Sequence, residues 1–195
     1  MNDNMNKSSR VKQLIDHLNR TKIPHAERIM ALSTLKDAHV YCVLQRLSAQ
    51  QYGPLIERFI QTKFGYSKNN SQSCSGDCNK DGLNSEVKVS LGGSSHTRFN
   101  FVQLRPTHDC DAYIFTAYHL SLDNVESEGE LYIFNIPKIE LKNLIASFGG
   151  YAHGTTREYG PITKESMTRE YAIRSTINDT CWNALLTFRI PESSL

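Results

Sequence analysis

The most specific chemical signal in this chain is three ionisable residues around one tight turn. Asp77, Glu86 and Lys88 lie in Gly76-Asp77-Cys78-Asn79-Lys80-Asp81-Gly82-Leu83-Asn84-Ser85-Glu86-Val87-Lys88. Asp81-Gly82 is a two-residue hairpin signal, because both central positions of a type I′ turn take φ > 0. With that pair as the loop, Lys80 pairs with Leu83 and, counting outward, Asp77 pairs with Glu86. Directly opposite side chains share a face, with Cβ atoms roughly 4.5–5.5 Å apart. Lys88, two residues on, points to the same face. Two carboxylates and an ammonium gathered in this way make a divalent-metal site suited to hydrolysing a phosphodiester. The competing reading is a solvated hairpin with ordinary surface charges, since charged side chains are usually exposed.

The residues after the turn alternate. Val87, Val89 and Leu91 face one way, and Glu86, Lys88 and Ser90 face the other. This predicts a half-buried strand with an apolar back and a charged front. Helices are expected upstream. One spans 8–22, with Val11, Leu14, Ile15 and Leu18 on a stripe. A second spans about 24–47 behind Pro24, and a third spans about 49–64, with Leu55, Ile56, Phe59 and Ile60 inward. Pro54 argues for a later first turn in the third helix, and Gly65 suits its end. Residues 66–76 read as a polar loop, although the arm carrying Asp77 has to form beside them. RFNFVQLRP (98–106) fits a strand or a short helix. DAYIFTAYHL (111–120) and ELYIFNIP (130–137) read as strands, and 137–147 as a helix. The order gives a mixed α/β (α+β) core with a central sheet flanked by helices and an N-terminal helical segment.

The length suits one domain, divided as an N-terminal helical segment (1–48), a catalytic core (49–148) and a recognition or dimerisation segment (149–195). No apolar run reaches membrane-span length, and MNDNMNKSSR carries no apolar signal segment. A cytoplasmic protein is the expectation. The five cysteines form no repeating framework, which suits reduced thiols. A zinc site from Cys74, Cys78, His108 and Cys110 is a weaker alternative, because its spacing is looser than a knuckle. The net charge of +2 is unevenly spread: residues 1–68 carry eleven Lys/Arg against five Asp/Glu, and 69–136 carry four against nine. An acidic middle beside a basic arm suits a cation site within a polyanion-binding protein.

These residues together resemble the PD-(D/E)xK nuclease superfamily, most closely type II restriction endonucleases. The resemblance rests on Glu57 in the helix before the hairpin, then Asp77, then Glu86-Val87-Lys88, with FNFVQLRP and DCDAYIFTAYHL following. It covers about 50–148, and Gly76-Asp77 stands where the family has Pro-Asp. It implies a restriction-endonuclease-like core and one or two Mg²⁺ ions held by Asp77, Glu86 and the Val87 carbonyl. It further implies that Lys88 orients or polarises the attacking water and that Glu57 supports the metal shell.

For DNA contacts the sequence offers Gln103 and Arg105 just after the site, Ser94 and His96 in a Gly-Ser loop, and the segment 149–174. That segment carries Tyr151, His153, Thr155, Thr156, Arg157, Lys164, Arg169 and Arg174, donors suited to phosphates and base edges. Arg157 is the preferred base contact, and a phosphate clamp or dimer contact is its alternative. The expected activity is Mg²⁺-dependent cleavage of duplex DNA at a short site by a homodimer, whose two-fold symmetry maps onto a palindrome. No nucleotide cofactor and no membrane partner are expected. The competing hypotheses are a structure-specific repair or recombination nuclease, a non-catalytic DNA-binding protein and a zinc-stabilised interaction module.

Overall fold

The computed structural model describes residues 26–28, 38–69, 75–92, 97–119 and 129–191. The expected helix at 8–22 and residues 24–25 and 29–37 of the one at 24–47 lie outside these residues, as do Ser94, His96 and Cys74. In chain order the elements are α1 (Ala38–Gln45), α2 (Ala49–Phe64), β1 (Ser67–Lys68), β2 (Cys78–Lys80), β3 (Leu83–Ser90), β4 (Arg98–Leu104), β5 (Ala112–His119) and β6 (Glu130–Pro137), then α3 (Lys138–Phe148), β7 (Gly149–Tyr151), α4 (Thr156–Tyr159), β8 (Tyr171–Thr176) and α5 (Thr180–Leu186).

The central sheet has five strands in the order β1-β2-β3-β5-β6. β3 pairs in parallel with β5, and the other neighbours are antiparallel. A second sheet, β4-β8-β7, is antiparallel throughout. The chain therefore has a mixed α/β architecture with helices flanking a mixed sheet.

The near-continuous apolar run of β5 buries both its faces, as expected of a central strand. Ile114 and Tyr118 join Val87 of β3 and Leu91 just after it, Leu131 and Ile133 of β6, and Val40, Tyr41, Leu44, Ile56 and Ile60 of α1 and α2. On the opposite face, Tyr113, Phe115 and Ala117 meet Phe99, Phe101, Tyr171 and Ile173 of the second sheet. Leu141 and Ile145 of α3 and Trp182 of α5 complete that layer. Trp182 stacks on Phe99, with ring centroids 5.0 Å apart. The segment after 148 thus supplies core: Tyr151, Ala172, Ile173 and Trp182 are buried, and most of the 152–170 stretch between β7 and β8 is exposed or half-buried.

Two local expectations change. α2 starts at Ala49 and carries Pro54 inside it rather than starting later. The Gln51 side chain reaches back to the Ser48 N–H at 2.9 Å, a link that anchors the first turn ahead of the proline. RFNFVQLRP is a strand, but it leaves the central sheet and pairs with β8. Its inward positions, Phe99, Phe101 and Leu104, are spaced two and then three apart, and a bulge absorbs the extra residue between Phe101 and Leu104. Among the described residues no helix is long and apolar enough to cross a membrane.

Candidate active site

The hairpin forms in the expected register, with Lys80 opposite Leu83, Asn79 opposite Asn84 and Cys78 opposite Ser85. Asp81 and Gly82 take φ of 53° and 83°, and the Gly82 N–H donates to the Asn79 side chain at 3.2 Å. Asp77 lies one step beyond the last paired residue. Its N–H donates to the Ser85 carbonyl at 2.9 Å. Its carboxylate turns inward and accepts the Val87 N–H at 2.8 Å. The arm before it is short: β1 is two residues long, and the Asn69 amide braces the bend by donating to the Ser75 and Gly76 carbonyls at 3.3 Å. Gly76 has φ +86°, and a Cβ there would sit 2.6 Å from the Ser85 carbonyl oxygen. Proline is locked near φ −65°, so it could not stand at this position with this backbone.

The charged front of β3 is covered rather than solvated. Glu86 is only 9 % exposed, because β4 and the second sheet lie over that face. Ser90 fastens the two layers by accepting the Asn100 N–H at 3.0 Å. A carboxylate in such a place needs partners. Lys88 donates to Glu86 at 2.6 Å, with both side chains mostly buried. His108 Nδ1 stands 3.9 Å from the other Glu86 oxygen.

Glu57 reaches the same place from α2. Its carboxyl shares a hydrogen bond with Asp77. Burial first, and then the charge of Asp77, push the Glu57 pKa up to about 7. Burial and the charge of Glu86 raise Asp77 as well. Three carboxyl groups therefore crowd one spot, and two of them, Glu57 and Asp77, resist ionisation.

β2 pairs only as far as Ser85, so beyond that residue no strand among the described residues pairs with this edge of β3. In a strand the N–H and C=O of one residue point to the same edge. The Val87 N–H points toward Asp77, so the Val87 carbonyl faces that edge too. That edge borders a cleft of about 230 Å³ lined by Tyr52, Gly53 and Glu57 of α2, Val87 and Lys88 of β3, and Val102 and Gln103 of β4. Gln103 occupies the β4 bulge with φ +55°, a conformation that few non-glycine residues adopt. The bulge turns Val102 and Gln103 outward together.

The donor set is made of hard oxygens, and the mutual repulsion of its carboxyls is what a cation relieves, so it suits Mg²⁺. Among the described residues no group of three His, Cys, Asp or Glu side chains is placed to hold a metal on its own. A metal here would rest on one or two carboxylates, the Val87 carbonyl and water. The zinc alternative loses support. Cys78 and Cys110 belong to different core layers, on opposite faces of the sheet. Burial, followed by the neighbouring carboxylates, pushes the Cys78 thiol up to about 12.

The predicted DNA contacts fall into three groups. Gln103 lines the cleft. Arg105 is bound to Glu170, with Nε 2.5 Å from the carboxylate and a second guanidinium nitrogen on the same oxygen. Tyr151 is buried and donates to the Gly160 carbonyl at 3.0 Å, so it is a core residue rather than a surface donor. His153, Thr155, Thr156, Arg157, Lys164, Arg169 and Arg174 are exposed. Thr155 caps the short α4 by accepting the Glu158 N–H at 3.3 Å, which presents Arg157 on the first turn.

Sequence reasoning missed Glu170 and the placement of His108. The Glu170 carboxyl is held below its usual range, chiefly by Arg105, with His153 and Lys88 contributing. Glu170 lies 82 positions after Lys88 in the chain, and no local pattern announces that proximity. No family model matches the chain, and no curated protein matches it.

Proposed function

We propose that this chain is a Mg²⁺-dependent endonuclease that hydrolyses phosphodiester bonds in duplex DNA. One observation carries the reading: Glu57, Asp77 and Glu86 converge with the Lys88 ammonium at the edge of β3 beyond Ser85, beside a cleft. Asp77, the Val87 carbonyl and Glu86 are the groups suited to hold the metal. When bound, Mg²⁺ polarises the phosphate and makes a water more acidic.

The chain's own groups do the rest. The Val87 N–H fixes the Asp77 carboxylate, so little reorganisation is needed when charge develops. Lys88 places a positive charge beside Glu86, where it neutralises charge building on the phosphate or steadies the attacking water. Glu57 holds a proton near neutrality and is suited to give it up as Asp77 is drawn into metal binding. Gln103 presents amide donors on the opposite wall for a phosphate oxygen.

The finer reading is a restriction-type enzyme acting as a homodimer on a short, palindromic site. It is supported by the exposed Arg157, Lys164 and Arg174, carried on a segment packed beside the cleft-lining strand β4. Digesting plasmid DNA in Mg²⁺ and sequencing the ends tests it. Cleavage at one short repeated sequence is expected. Cleavage confined to branched or damaged DNA would replace the site-specific reading with a structure-specific one.

A further inference from the structure

Beside the cleft lies a second hollow of about 360 Å³, lined by Arg105, Thr107, His153, Tyr159, Arg169 and Glu170, with Thr168. Its walls are cationic and hydroxylated. Arg105 comes from the end of β4, two residues after Gln103. His153 is 81 % exposed. The Arg169 guanidinium lies flat over the Tyr159 ring, 4.0 Å from its centroid. Thr107 and Thr168 add donors. Among the described lining residues the one carboxylate is Glu170. Arg105 grips one of its oxygens with two nitrogens, and His153 Nε2 stands 3.5 Å from the other.

The geometry points to a phosphate-binding seat that Glu170 fills from within. A guanidinium fork gripping a carboxylate is equally suited to a phosphate oxygen. The hollow is far larger than one carboxylate needs. Glu170 is also close enough to Lys88 to feel its charge, so the seat adjoins the proposed scissile position. On the nuclease reading above, on which its biological ligand rests, the seat takes a DNA phosphate neighbouring the one cleaved. Glu170 then acts as a competing anion that a polyphosphate must displace, so weak contacts fail and extended ones succeed. An ion pair serving only the fold behaves otherwise: removing Glu170 loosens Arg105 and gains no anion affinity.

The test uses the full chain and its Glu170→Gln variant with two probes, tripolyphosphate without metal and a short labelled duplex in Ca²⁺. The seat predicts that Glu170→Gln binds tripolyphosphate about ten-fold more tightly, the scale of one released charge-assisted contact. It also predicts a salt dependence of duplex binding steeper by about one in log–log slope. Tighter tripolyphosphate binding with no duplex binding by either protein keeps the seat and removes the DNA reading. Unchanged or weaker tripolyphosphate binding overturns the seat, whatever the duplex does. Should Glu170→Gln fail to fold, as judged by melting, His153→Ala replaces it. Loss of tripolyphosphate affinity is then expected, and unchanged affinity overturns the seat.

Discussion

Glu57 is the residue whose ionisation says most about the site. Its folded pKa, about 7, lies above its ordinary value of 4.5. The folded protein therefore keeps a proton that the unfolded chain releases between about pH 4.5 and 7. The stabilising contribution of this group is present below that window and is lost as pH rises through it. Glu57→Gln removes the loss, so the variant should melt higher than the wild type at pH 8 and show no such gain at pH 4. Thermal melts at the two pH values check this. An equal shift at both would mean that Glu57 is not raised by its burial and the neighbouring Asp77 charge. The grouping of these side chains was legible because Asp77, Glu86 and Lys88 sit at fixed offsets from one turn. The burial of Glu86 was not, because period-two alternation marks a polar face without saying what covers it.

At the scale of elements, two backbone positions aim the site. Gly76 lets the chain enter β2 with φ +86° while passing close to the Ser85 carbonyl. Gly76→Ala should destabilise the fold by roughly 1–3 kcal/mol and move Asp77 off the Val87 N–H. Chemical denaturation and cleavage assays should both register it, and a variant of wild-type stability would show that the bend is not required. The β4 bulge is the second position. Gln103→Gly relieves an unfavourable φ and should stabilise by roughly 1 kcal/mol, yet it removes the amide from the cleft and should slow cleavage. Faster or unchanged cleavage would take Gln103 out of the phosphate-binding role. The hairpin, α2 with its end at Gly65, β5, β6 and α3 were all readable from turn chemistry and apolar period. The exit of β4 to a second sheet was not, because a strand of alternating Phe and polar residues reads the same in either sheet. The stretch 66–76 reads as loop in the sequence; of it, residues 70–74 lie outside the described residues and Ser67–Lys68 form a strand. What supports Asp77 there is a two-residue strand and the Asn69 side chain, features too short to show as a pattern.

At the scale of the whole molecule, the parallel β3–β5 pair is clamped between α1–α2 and the second sheet, and the site opens where β2 stops pairing. Each layer contributes one wall: Glu57 from the helices, Lys88 from the central sheet and Gln103 from the second sheet. Such a site assembles only when the three layers are packed together. This explains why Glu170 and His108, which reach it through tertiary packing, left no trace in local sequence. It also holds the exposed 152–170 segment, with three basic and three acidic residues, between β7 and β8 of the second sheet, whose β4 lines the cleft. The central claim is that Asp77 anchors metal-dependent hydrolysis at this edge. Supercoiled plasmid incubated in Mg²⁺ with wild-type protein and with Asp77→Asn tests it most directly. The wild type should give nicked and linear products and Asp77→Asn a loss of at least about a hundred-fold, with duplex binding in Ca²⁺ largely retained. Cleavage by Asp77→Asn at the wild-type rate, or no cleavage by a wild-type protein that is folded and binds DNA, would contradict it.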